Sequence, residues 1–133
     1  MLQRNDLIAY ALDFTSYLVS EIENLDRIIL YGSVAKGEFD EESDIDLFID
    51  TKEKIDKKVN KVIDNYYKTK KFMEWELKGI NNTISCIVGI LDSEEWKDLK
   101  RSIMNTGIIL YGKYKGEVEK INQYTLFSFG NIC

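Results

Sequence analysis

Apolar residues recur at helical spacing from position 5 to 23, where Leu7, Ile8, Ala11, Phe14, Leu18 and Ile22 share one side and Asn5 stands ready to cap the start. This predicts a core-facing helix. Segment 26–31 then reads as a buried strand, Arg-Ile-Ile-Leu-Tyr, stopped by Gly32. Segment 44–50 alternates, with Ile45, Leu47 and Ile49 on one side and Asp44, Asp46, Phe48 and Asp50 on the other, which predicts a second strand. Ile55, Val59, Val62, Ile63 and Tyr66 mark another helix. A hairpin is predicted next, from strands over 72–78 and 83–91 turned by Gly79-Ile80-Asn81-Asn82. Asp92, with Glu95 three residues on, resembles a capping box for a helix that buries Trp96, Leu99 and Ile103 and ends near Gly107. A short strand over 108–111 closes the pattern, and the apolar run 124–133 finds no partner in it. The alternation of elements indicates an α/β (α+β) class, a small mixed sheet with helices packed on it.

The length of 133 residues fits one domain spanning 1–133, with 113–133 as a tail that leads into a partner or a further helical domain. At 44% hydrophobic and 31% charged residues, and with no apolar run near the length of a membrane span, the chain reads as a soluble globular protein without a membrane role. The N-terminus lacks a signal-peptide layout, so the expected location is the cytoplasm. Two cysteines, Cys86 and Cys133, make neither a disulfide framework nor a zinc site.

The absence of histidine is more decisive, because it removes Ser-His-Asp triads, Cys-His pairs and His-ligated metals. Chemistry must rest on carboxylates, hydroxyls, lysines or a bound metal. A net charge of −5 gives no general attraction to nucleic acid, which enters only as an acceptor. Lys57, Lys58, Lys61, Lys68, Lys70 and Lys71, in a helix expected over 52–71, read first as a solvated face and second as a basic patch.

The informative stretch runs from Tyr31 to Asp50. Gly32 lets backbone approach a ligand, and Ser33 can offer its hydroxyl and nearby amides to a phosphate. Asp44 and Asp46, two apart on a strand, share a face with Cα atoms roughly 6.5 to 7 Å apart. Two such carboxylates repel one another unless a cation or open solvent relieves them. The cation expected is Mg²⁺, which takes one or two protein carboxylates and completes its shell with water and phosphate oxygens.

Gly32, Ser33, Ala35, Gly37, Ser43, Asp44, Asp46 and Leu47 stand in an order and spacing similar to the signature of the DNA polymerase β-like nucleotidyltransferase superfamily, especially its minimal prokaryotic members. The resemblance implies the polymerase β-like fold and transfer of a nucleoside monophosphate from a nucleoside triphosphate to an acceptor hydroxyl. It implies that Asp44 and Asp46 are the catalytic, metal-binding pair for one or two Mg²⁺ ions, with Mn²⁺ able to substitute. Gly32, Ser33, Lys36 and Ser43 would be nucleotide-binding, with ATP the expected donor although no residue here reads a base. Lys36 is left with two readings, a phosphate contact or an ion pair with Glu38 or Asp40.

Active members carry a third carboxylate on a later strand, and the strand at 84–88 offers Ser85 instead. In the predicted hairpin Glu76 would sit opposite Ser85 with Glu74 on the same face, so either glutamate could reach the site; the plainer reading makes both outward residues of an edge hairpin around Trp75. Trp75 and Trp96 read mainly as core or hairpin anchors. The missing acid opens a second expectation: a catalytically weak nucleotide-binding or antitoxin-like subunit that acts through a helical partner protein or a second copy of itself.

Overall fold

The computed structural model describes residues 2–112. The chain runs α1 (Arg4–Glu21), β1 (Arg27–Tyr31), α2 (Gly32–Lys36), β2 (Ile45–Asp50), α3 (Asp56–Tyr66), α4 (Lys70–Leu77), β3 (Ile84–Gly89), α5 (Lys97–Thr106) and β4 (Ile108–Gly112), with a single 3-10 turn at Glu94–Trp96 leading into α5. The sheet order is β3-β2-β1-β4. β1 lies antiparallel to both β2 and β4, while β2 and β3 are parallel, so the sheet is mixed as the sequence pattern indicated.

Alternation along the strands divides the core in two. On one face Ile28, Leu30, Ile45, Leu47 and Ile49 pack against Leu7, Tyr10, Phe14 and Leu18 of α1, Val59, Ile63 and Tyr66 of α3, and Phe72 of α4. On the other, Ile29, Phe48, Leu91 and Ile103 form a smaller cluster with Tyr31, Ile87, Trp96 and Leu99 against it. Each large side chain so buried contributes about 1.5 to 3 kcal/mol. Trp96 stands edge-on to Phe48 at 5.5 Å, and a Cβ on Gly89 would lie 3.2 Å from its Cδ1, so that glycine makes room for the indole.

Segment 70–77 is a helix, not the first strand of a hairpin. Phe72, Glu74 and Glu76 suggest a period of two, but Phe72 and Trp75 are the residues that turn inward, three apart, to meet Tyr10 at 6.3 and 5.6 Å. Thr69 caps the helix by accepting the Phe72 amide at 3.1 Å, which also divides the expected 52–71 helix into α3 and α4. The Trp75 indole N–H and the Tyr66 hydroxyl both donate to Asp13, at 3.1 and 2.6 Å, so Trp75 is a core anchor.

Two helix starts also differ from expectation. α1 begins at Arg4, with the Gln3 amide donating to the Asp6 carboxylate at 3.0 Å, so Asn5 lies inside the helix. Asp92 caps nothing; it pairs with Lys100 at 2.7 Å and Arg27 at 3.7 Å, which holds its carboxyl below the usual range. The end of α5 before Gly107 and the strand after it stand as predicted. The apolar run 124–133 lies outside the described residues. Among the described residues no helix is long and apolar enough to cross a membrane.

Candidate functional site

At the end of β1 the chain turns sharply into α2, and Gly32 makes the turn with φ +79°. A side chain there would be strained by that angle and would overlap the Asp46 carboxylate, whose Cγ lies 3.2 Å from the position a Cβ would take. The Gly-Ser turn and Asp46 are therefore in contact. α2 lasts five residues and ends at Gly37, φ +81°, whose amide donates to the Val34 carbonyl at 3.1 Å.

The loop from Gly37 to β2 is tied by short polar links. The Asp40 amide donates to the Ser43 hydroxyl at 2.9 Å, and the Asp40 carboxylate accepts the Glu42 amide at 2.8 Å. Ser43 thus shapes the turn that delivers Asp44. Buried Asn82 donates through its side-chain amide to the carbonyls of Ser43, at 2.8 Å, and Glu41, at 3.3 Å, while its own backbone carbonyl accepts the Tyr10 hydroxyl at 2.9 Å. It anchors the approach to Asp44 from just before the start of the neighbouring strand β3, a role that nothing in the sequence near the motif announces.

Asp46 is half-buried in β2, in register with Tyr31 of β1 on one side and Ser85 of β3 on the other. Asp44 is exposed, immediately before the strand and on the same face by alternation. Burial first, and then the neighbouring Asp44 charge, push the Asp46 carboxyl above the usual carboxylate range. The repulsion expected from the sequence is present. Burial and the Asp46 charge also push the Tyr31 hydroxyl up to about 12, so it stays protonated. The Cys86 thiol, pushed up to about 12 by burial, is equally inert at neutral pH.

Asp50, further along the same face, takes no part. It is buried, accepts the Leu91 amide at 3.0 Å and is paired to Arg27 at 2.7 Å. Glu74 and Glu76 are also removed from the site. Both ride on α4, which packs on the opposite face of the sheet; Glu74 pairs with Lys71 at 3.8 Å and Glu76 lies near Tyr10. The register puts Ser85 next to Asp46, and among the described residues no group of three or more His, Cys, Asp or Glu side chains could hold a metal. Two oxygen-donor carboxylates, one forced to carry an unfavourable charge, nonetheless suit a hard divalent cation that takes its other ligands from water and phosphate.

Lys36 is exposed and, among the described residues, pairs with neither Glu38 nor Asp40. It borders an open cleft of about 370 Å³ whose other wall is the Asp98, Arg101, Ser102 and Asn105 side of α5. The lysines at 57, 58, 61, 68 and 70 are exposed on or between α3 and α4.

A Gly-Ser turn seated on an aspartate of the adjacent strand, within this mixed sheet, defines the class: residues 16–110 match the nucleotidyltransferase domain family, to which the chain belongs. Among individual relatives, it is 58% identical over 31 residues to a protein of Methanocaldococcus jannaschii named as a candidate protein adenylyltransferase. That match covers 23% of this chain and 31% of the relative, so it spans less than a third of the relative's length. Two solved structures share the fold. A toxin–antitoxin complex with AMP-PNP aligns with a TM-score of 0.52 and 19% identity over 84% of this chain and 75% of the other. A toxin–antitoxin MntA–HpeT mutant aligns with a TM-score of 0.53 and 17% identity over the same shares, 84% and 75%.

Proposed function

We propose that the protein transfers a nucleoside monophosphate, with ATP as the donor, to a hydroxyl on another protein. The observation that carries this reading is the contact between Gly32 and Asp46, whose carboxyl is raised above its usual range; the contact joins the Gly-Ser turn to a carboxylate pair suited to a divalent cation. Asp44 and Asp46 would hold Mg²⁺, or Mn²⁺ in its place, and the ion would supply positive charge to the triphosphate oxygens. Ser33 and the amides beside Gly32 would hold the β- and γ-phosphates, with the exposed Lys36 on the same short helix available to the phosphate tail. Ser43 serves the site through its turn. The acceptor oxygen forms a bond to the α-phosphorus as the bond to pyrophosphate breaks, and the acceptor's proton passes to water.

A protein acceptor is supported by the adenylyltransferase name of the archaeal relative and by the toxin–antitoxin complexes among the fold neighbours. Ser85 favours a second, compatible reading. With a hydroxyl where a third carboxylate would stand, turnover without the partner would be low, and the chain would act as an antitoxin-like subunit toward a helical partner.

The test incubates the protein with triphosphates labelled at the α-phosphate, Mg²⁺ or Mn²⁺, and proteins of its own cells. Label should appear on a protein, and Asp44→Asn with Asp46→Asn should abolish it while the fold persists by circular dichroism. Labelling that survives the double substitution would sink the proposal.

A further inference from the structure

α2 is too short to hold itself together, since isolated helices of this length are unstable in water. α2 begins at Gly32, which lies against Asp46, so whatever restrains α2 also restrains the candidate site. Val34 and Ala35 are buried, and Gly37 closes the last turn. A third restraint comes from thirty residues away. Arg4, the first residue of α1, donates from Nε to the Val34 carbonyl at 3.1 Å and from Nη2 to the Ala35 carbonyl. The Val34 carbonyl also accepts the Gly37 amide, so Arg4 adds a cationic donor to a carbonyl end already closed by Gly37, and its charge meets the negative end of the helix dipole.

We propose that Arg4 is a positioning residue for the nucleotide site: its guanidinium clamps the carbonyl end of α2 and so holds the Gly32-Ser33 turn in register with Asp46. This rests on the site reading above. Arg4 itself touches neither Gly32 nor the carboxylate pair, and its effect travels through one helical turn. Because misplacing a reacting group by about 1 Å can cost roughly 100-fold in rate, a loosened α2 is enough to disable the site without unfolding the sheet.

The experiment compares wild type, Arg4→Ala and Arg4→Lys. Amide hydrogen exchange of the nucleotide-free proteins reads the clamp directly, and calorimetry with a non-hydrolysable ATP analogue and Mg²⁺ reads its consequence. Arg4→Ala is expected to speed exchange at Gly37 and Glu38, whose amides bond back to the Val34 and Ser33 carbonyls, by about tenfold or more while β1 and β2 stay protected, and to weaken analogue binding by about tenfold. Arg4→Lys, which keeps a cationic donor, should recover part of both. Unchanged exchange at Gly37 and Glu38, or an equal loss across the whole sheet, overturns the clamp. Wild-type binding that Arg4→Ala leaves untouched overturns its link to the site. If wild type binds no analogue, the nucleotide reading fails by itself, and the exchange result still decides the clamp.

Discussion

Gly32→Ala perturbs the contact on which the site depends, and its cost divides into two measurable parts. An alanine held at φ +79° costs about 1 to 2 kcal/mol for the left-handed backbone. Its Cβ must also displace the Asp46 carboxylate, and an off-rotamer side chain costs roughly 0.5 to 1.5 kcal/mol more. The total is about 1.5 to 3.5 kcal/mol, a large share of the roughly 5 to 15 kcal/mol typical of a small domain. Gly79 supplies the control. It has φ +83°, and a Cβ there would meet nothing within 4 Å, so Gly79→Ala isolates the backbone part. Urea denaturation of both variants should show Gly32→Ala costlier by about 1 kcal/mol. In an Asp46→Ala background that excess should disappear, because the Asp46 Cβ lies at an ordinary 3.4 Å. Equal costs for the two glycines, with no coupling to position 46, would refute the reasoning.

Other consequences follow from the same geometry. The Asp46 carboxyl is raised above its ordinary value, so its ionised form is disfavoured in the fold; the metal-free protein should lose stability as pH rises from about 4 through that raised value. Asp44→Asn should shrink the loss, by about 0.6 kcal/mol for charges roughly 7 Å apart in water-like surroundings, as thermal melts across pH will show. Glu74→Gln and Glu76→Gln should leave transfer unchanged, whereas Ser85→Asp, beside Asp46, should raise it in a labelled-nucleotide assay; the reverse pattern would restore the glutamates to the site. Arg27→Met, which strands buried Asp50, should cost about 2 to 4 kcal/mol in denaturation without changing nucleotide affinity.

What could be read from the sequence was what the chain settles locally. Gly32, Ser33, Asp44 and Asp46 lie within fifteen residues, and strand alternation alone puts the two aspartates on one face. The same rule puts Phe48 and Asp50 on the aspartate face, where the structure has them, but it does not show what covers them, because Trp96 and Arg27 come from other elements. In 70–77 two periodicities compete, and the contact of Phe72 and Trp75 with Tyr10 decides for the helix. The Thr69 cap was the local signal for that outcome. Asn82 and Arg4 act on backbone carbonyls 39 to 41 and 30 to 31 residues away, and such links leave no spacing pattern to find. Ser85 was in view as the residue lacking an acid, but only the parallel register of β2 and β3 shows that it adjoins Asp46.

On the proposed function, Asp44 and Asp46 together hold the metal that accompanies a nucleotide. Mn²⁺ titration followed by electron paramagnetic resonance, in the presence of a non-hydrolysable ATP analogue, addresses it without requiring turnover. Wild type should remove free Mn²⁺ signal beyond what the analogue alone removes, and Asp44→Asn with Asp46→Asn should return it to the analogue-only level. Equal Mn²⁺ uptake by the two proteins would contradict the claim.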